Sequence, residues 1–122
     1  EGFAVSAGVV LPQIFQTLQG FSVSAGAAEG IASVVLDPAN ALISKTNYVL
    51  VCPSTDPAWT PLFLNACALV MERGGMLSHG AVVAREYGIP AVVNISNATK
   101  LIKDGQKIQV DGNRGIVTFL ET

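Results

Sequence analysis

"GGMLSHGAVVAREYGIPAVV", residues 74–93, carries the one histidine of the chain, His79. Gly74 and Gly75 lead in, Ser78 stands directly before the imidazole, and an apolar run at helical spacing follows. Gly88 and Pro90 stop that run, so the sequence predicts a helix over His79–Tyr87 and a strand over Ala91–Val93. On either side the pattern is one of short β-rich runs divided by Gly, Pro, Asn and Asp. Strands are expected over Gly30–Leu36, Tyr48–Cys52, Ala68–Met71, Lys107–Val110 and Ile116–Leu120. A helix is expected over Trp59–Cys67, with Pro61 tolerated in its first turn, and a short helical turn over Asn97–Ile102. Asp111-Gly112 supplies turn chemistry for a hairpin joining the last two strands. The sum is an α/β domain with a mixed sheet and a few short helices, over residues 20–122. Residues 1–19 read instead as a linker or docking segment, with Leu11, Ile14, Phe15 and Leu18 at helix-like spacing behind Pro12.

The placement of His79 has chemical consequences. The first N–H groups of a helix have no partner within it, and the dipole there favours negative charge. An imidazole in that first turn can take a phosphoryl group whose oxygens those N–H groups hold. The positive end of the dipole also disfavours the imidazolium, which keeps a lone pair available. Ser78 either orients the ring or donates to a phosphoryl oxygen, or it is a plain helix cap. Gly74 and Gly75 leave the approach uncrowded and admit positive φ, whether for access or for an ordinary tight turn. Gly80 removes a side chain where a partner would need close approach. Arg85, six residues on, stands about 240° around and about 9 Å up from His79, a poor position for a phosphate clamp. It is expected to pair with a carboxylate or to meet a partner domain. Thr55, Asp56, Trp59 and Thr60 form a second dense cluster. Thr55 or Asp56 can cap the helix that follows, and Trp59 is expected between helix and sheet.

The run Gly74–Val93 resembles the mobile phosphohistidine domain of phosphoenolpyruvate-utilising enzymes. This family includes phosphoenolpyruvate synthase, pyruvate phosphate dikinase and rifampicin phosphotransferase. Three further segments agree in order. "GFSVSAGAAEGIASVV" (Gly20–Val35) resembles the family's opening strand, "VLVCPSTDPAWTPLF" (Val49–Phe63) the segment before its first helix, and "DGQKIQVDGNRGIVTFL" (Asp104–Leu120) its closing hairpin. Where many relatives carry Thr-Ser-His-Ala, this chain has Leu77, Ser78, His79 and Gly80. The resemblance implies a swivelling β/β/α fold and places Thr55 at the rim beside His79. It implies that a separate domain, holding ATP and Mg2+, phosphorylates His79, with Nε2 as the favoured nitrogen. ATP then gives AMP, and the phosphohistidine delivers its group to pyruvate or another acceptor on a third domain. The chain would be one domain of such a transferase, inactive alone. The rival from another class is a docking or regulatory module that keeps the same fold without the chemistry.

Composition bounds the alternatives. At 122 residues the chain is one domain with room for a proper core. Half its residues are hydrophobic and 13% are charged, a low share that implies surface meant for other domains. A net charge of −2 gives no electrostatic case for nucleic acid. One histidine with scattered carboxylates makes no recognisable metal set. "GFSVSAGAAEG" lacks the lysine of a phosphate-binding loop, so no nucleotide site is expected on this chain. No G-x-S-x-G elbow supports a Ser78–His79 hydrolase. Cys52 and Cys67 lack CxxC spacing and read as buried free thiols of a reducing compartment. No apolar stretch reaches the ~20 residues that span a bilayer, and no charged n-region precedes an apolar run. With Glu1 in place of a starting Met, the expectation is an excised piece or a processed product, cytoplasmic in location.

Overall fold

The computed structural model describes residues 16–41 and 46–120. The Leu11, Ile14 and Phe15 part of the expected helix lies outside them. Eight strands form one sheet: β1 (Thr17–Gln19), β2 (Phe21–Ser24), β3 (Ala27–Val34), β4 (Tyr48–Cys52), β5 (Ala66–Met71), β6 (Ala91–Val93), β7 (Lys107–Asp111) and β8 (Ile116–Phe119). Their order across the sheet is β1-β8-β7-β3-β4-β5-β6-β2. The central four, β3 to β6, run parallel, while β7, β8, β1 and β2 pair antiparallel at the flanks. The two edge strands, β1 and β2, are consecutive in the chain with Gly20 alone between them. The sheet is therefore wrapped until its edges stand side by side, which leaves little unpaired edge. Gly20 makes this join possible. Its N–H donates to the Gly115 carbonyl at 2.8 Å, and a Cβ there would run into the Val93 carbonyl and the Ile95 side chain.

The helices are α1 (Thr60–Phe63), α2 (His79–Tyr87) and α3 (Ala98–Leu101). Strand residues alternate between two cores, as a two-residue period requires. Leu50, Cys52, Leu69, Met71, Ala91 and Val93 meet Trp59, Leu62 and Phe63 and the α2 residues Ala81 and Ala84. Val49, Val51, Ala68, Val70 and Val92 point the other way, to Ile95, Ala98, Ile102, Ile108, Val110 and Val117. With both faces covered, β4 is buried throughout, and "YVLVC" reads as a continuous apolar run for that reason.

The sheet overrides several sequence expectations. The helix foreseen over Trp59–Cys67 is only a 3-10 turn at Pro57–Trp59 followed by α1, because Ala66 already pairs with Tyr48 as the start of β5. The Asn47 N–H on the Asn65 carbonyl, at 2.8 Å, fixes that switch. The strand foreseen over Gly30–Leu36 spans Ala27–Val34. Its first half pairs with β7, and a Cβ at Gly30 would lie 2.8 Å from the Asn47 carbonyl and 2.9 Å from Cys67 Sγ. Leu18, placed in the leading segment, belongs to β1 and so to the sheet. The closing hairpin turns through four residues. The Asp111 carboxylate accepts the N–H groups of Asn113 and Arg114, and Gly115 takes φ +73°. Gly112 is buried in that turn, its N–H on the Gly26 carbonyl at 2.7 Å.

Candidate active site

β4 and β5 are parallel neighbours, and the segments leaving their C-terminal ends meet. In α/β folds, open or closed, the C-terminal ends of parallel strands are where ligands bind. β4 runs on through Pro53 to Thr55, and β5 through Glu72 and the loop 74–78 to His79. The pairing continues past the strands: the Glu72 N–H donates to the Cys52 carbonyl at 3.1 Å and the Arg73 N–H to the Pro53 carbonyl at 3.0 Å. Thr55 is thereby carried to the start of α2, where its Oγ1 lies 3.0 Å from Nδ1 of His79.

A second contact fixes the ring. Phe63, 1% exposed at the end of α1, meets the imidazole edge-to-face with centroids 6.3 Å apart and planes at 76°. Phe63 is itself set edge-to-face against Tyr87 of α2, again at 6.3 Å. Sequence reading missed Phe63, since a phenylalanine in an apolar run gives no sign of the ring it will touch. With Nδ1 turned to Thr55, Nε2 has no hydrogen-bond partner among the described residues. The neutral tautomer that donates Nδ1–H to Thr55 Oγ1 is the one with a lone pair on Nε2.

The N–H groups of His79, Gly80 and Ala81 have no acceptor among the described residues; the first intrahelical bond runs from Val82 to the Ser78 carbonyl at 3.0 Å. Ser78 occupies the N-cap position in extended conformation yet caps nothing. Its hydroxyl donates to the Gly75 carbonyl at 2.8 Å, so neither a conventional cap nor contact with the imidazole describes it. Of the two leading glycines only Gly74 uses positive φ, at +143°, and a Cβ there would lie 2.9 Å from Met71 Cε. Gly75 has open space where a Cβ would be. Gly80 does not face a partner. It is buried, and a Cβ would lie 2.8 Å from both Met71 Sδ and Thr55 Oγ1. Its bareness lets α2 settle onto the end of β5 with Thr55 in reach of the ring.

Among the described residues Arg85 pairs with no carboxylate. One guanidinium nitrogen donates to the Val23 carbonyl at 2.9 Å and another to the Met76 carbonyl. Asp56 turns away from the imidazole and caps the Pro57–Trp59 turn through the Ala58 N–H at 2.9 Å. Trp59 is buried between helix and sheet. Both cysteines are free; Cys52 is buried and Cys67 half-buried. Burial, with the Glu72 charge adding to it, pushes the Cys52 thiol far above its ordinary range, and burial raises Cys67 as well. Both shifts favour the thiol over the thiolate, the nucleophilic form. Among the described residues no three His, Cys, Asp or Glu side chains cluster as a metal site would need. Among them, too, no helix is long and apolar enough to cross a membrane.

The site is thus a half-buried imidazole held at Nδ1 by a hydroxyl, beside N–H groups at a helix start that have no acceptor among the described residues. Residues 44–115 match the family model described as "PEP-utilising enzyme, mobile domain", and the chain belongs to that family, the phosphohistidine domain of phosphotransferases. It is 50% identical over 105 residues to a rifampicin phosphotransferase of Bacillus cereus, a match covering 86% of this chain and 12% of that protein. It is 47% identical over 102 residues to a probable phosphoenolpyruvate synthase of Staphylothermus marinus, covering 82% of this chain and again 12% of the relative. A solution structure of an Enzyme I protein superposes with a TM-score of 0.56 at 31% identity, over 64% of this chain and 32% of that one. The chain thus spans about an eighth of the length of the curated relatives it matches.

Proposed function

We propose that this domain is a phosphocarrier, with His79 Nε2 as the atom that takes and gives the phosphoryl group. The observation that carries the reading is the hydrogen bond between Thr55 Oγ1 and His79 Nδ1, which leaves Nε2 without a hydrogen-bond partner among the described residues. The Nε2 lone pair attacks phosphorus, the N–P bond forms, and the bond to the leaving oxygen breaks with its electron pair going to that oxygen. Nδ1 keeps its proton and donates it to Thr55 Oγ1, so the phosphorylated ring is cationic and remains a good leaving group for the second transfer. The N–H groups of His79, Gly80 and Ala81 are the donors for the phosphoryl oxygens. Phosphoryl transfer asks mainly for position and charge stabilisation, so few further groups are needed here.

The donor in this reading is a separate nucleotide-binding domain holding ATP and Mg2+, with AMP as the product, the β-phosphoryl carried away on the histidine and the γ-phosphoryl passed to water as inorganic phosphate. The acceptor, pyruvate or another small molecule, belongs to a further domain. The names of the relatives, a rifampicin phosphotransferase and a probable phosphoenolpyruvate synthase, support phosphoryl transfer to a small-molecule acceptor. One histidine cannot sit in both sites at once, so the domain moves between them.

Intact mass spectrometry at alkaline pH tests this, after mixing the chain with a nucleotide-binding domain, ATP and Mg2+. The expected result is an acid-labile gain of about 80 Da, the mass of one phosphoryl group, that is absent in His79→Ala. No gain, with a partner that does charge another phosphohistidine domain, would overturn the reading in favour of a docking or regulatory module.

A further inference from the structure

The loop that delivers His79 has almost nothing to hold it. An added Cβ at Gly75 would meet no atom within 4 Å, Met76 is 60% exposed and Leu77 is 89% exposed. No apolar burial anchors residues 75–77. The bonds from Ser78 N and Oγ to the Gly75 carbonyl, at 3.1 and 2.8 Å, close the turn on itself and tie it to no other element. Among the described residues, one hydrogen bond joins residues 75–77 to the rest of the domain: the one Arg85 donates to the Met76 carbonyl. The other end of that guanidinium is fixed, since its second nitrogen donates to the carbonyl of Val23, a core residue of β2 that is 4% exposed.

We propose that Arg85 is a positioning residue. By clamping the Met76 carbonyl to β2 it sets the loop 74–78, and with it the entry of the chain into α2 and the approach to His79 Nε2. Its consequence for transfer rests on the phosphocarrier reading above. The planar guanidinium suits the task because its N–H groups diverge and can serve two carbonyls on different elements at once. An ammonium is a single point and holds one carbonyl well. The absence of a carboxylate partner agrees with this, since among the described residues the one salt bridge is Arg114–Asp111. The charge of Arg85 is committed to backbone oxygens. Displacing a reacting group by about an ångström costs on the order of 100-fold in rate, so a loose strap is felt at the imidazole.

The test uses the full chain as wild type, Arg85→Ala and Arg85→Lys, with two readouts. The first is the rate at which potassium phosphoramidate, a small phosphodonor that needs no partner domain, phosphorylates His79. The second is hydrogen exchange at the Ser78 amide, whose bond to Gly75 reports the loop, with the Val51 and Val70 amides reporting the core. Expected in Arg85→Ala are exchange at Ser78 faster by roughly tenfold or more, unchanged core amides, and phosphorylation slowed roughly 10- to 100-fold. Arg85→Lys is expected to fall between. Unchanged Ser78 exchange overturns the proposal, and a slowed reaction alongside it would mean that Arg85 acts on the phosphoryl group directly. Acceleration at core amides in both variants also overturns it, because the arginine would then be structural throughout. If wild type takes no phosphoryl group, the functional reading fails, while the Ser78 exchange still decides whether Arg85 holds the loop.

Discussion

Apart from α1, which runs on directly from the Pro57–Trp59 turn and has no side-chain cap of its own, the helical starts among the described residues divide into two kinds. At three of them a carboxylate fills the cap. Asp37 accepts the Ala39 N–H at a 3-10 turn over Pro38–Asn40, Asp56 accepts the Ala58 N–H, and Glu72 Oε2 accepts both the N–H and the hydroxyl of Thr99 in α3. The start of α2, the longest helix, has no acidic residue in its first turn and no side-chain cap, and its serine donates to Gly75 instead. Such a cap contributes about 1 kcal/mol, so its omission is a real cost in stability. The chain supplies negative charge where a helix start is structural and withholds it where His79 stands. An open start beside a nucleophilic ring is one an incoming anion can complete.

Closing the open start should abolish the difference, and with it the chemistry. Ser78→Asp places a carboxylate at the N-cap of α2, as Asp56 does for its own turn. The new cap offsets the lost Ser78–Gly75 bond, so stability in urea unfolding should stay within about 1 kcal/mol of wild type. Phosphorylation of His79 should fall by at least roughly 100-fold, because the carboxylate occupies the N–H groups and repels the phosphoryl oxygens. Two unit charges ~4 Å apart at an effective dielectric of ~20 interact by about 4 kcal/mol, ample for that loss. An unchanged rate of acid-labile phosphate uptake would show that the free N–H groups play no part.

Thr55→Val asks a narrower question, leaving the start open while releasing the ring. The substitution keeps shape and removes the oxygen that accepts Nδ1–H. Losing a histidine's orienting partner costs about 10- to 100-fold in activity in comparable sites. Phosphorylation should slow by that amount, and 15N spectra of the imidazole should show the Nδ1–H tautomer losing population. A tautomer ratio identical to wild type would assign the orientation to Phe63 alone.

How much of this was legible in the sequence varies with the range of the interaction. α2, β4 and β6 lie where periodicity and stop signals put them, because local pattern and tertiary environment agree there. His79 was readable as a lone imidazole at a helix start, and Thr55 only through the family resemblance. β1 and β2 were not readable. Each has three or four residues, and each is a strand because wrapping of the sheet brings a partner to it. The same holds for Ala66, which two alanines and a cysteine would let join a helix until pairing with Tyr48 claims it. Arg85 shows the limit most plainly. Helix geometry kept it away from the phosphate, yet its two carbonyl partners lie 62 and 9 residues away in sequence, and no spacing rule finds them. Gly80 was assigned to an outward clearance; its real constraint, Met71 and Thr55 beneath it, is a contact across the fold.

The mildest change acts on the closed side. Hydrogen bonds from the hydroxyl and then the N–H of Thr99, with the nearby Arg73 and Lys100 charges, hold the Glu72 carboxyl below its usual range. A carboxyl whose folded pKa is depressed adds stability above its ordinary pKa, near ~4.3 for glutamate, and loses it as the pH falls through the folded value. Glu72→Gln keeps an acceptor oxygen but not the charge, so at pH 7 it should cost up to about 1 kcal/mol in urea unfolding. Below the carboxylate range wild type carries a neutral carboxyl too, and the two proteins should converge. Neither phosphorylation of His79 nor exchange at the Ser78 amide should move, because Glu72 acts on the start of α3. A change in either would mean that the two helix starts are coupled through Glu72–Arg73, the stretch that carries β5 toward the loop. The division between capped and open starts would then describe one cooperative unit and not two separate solutions.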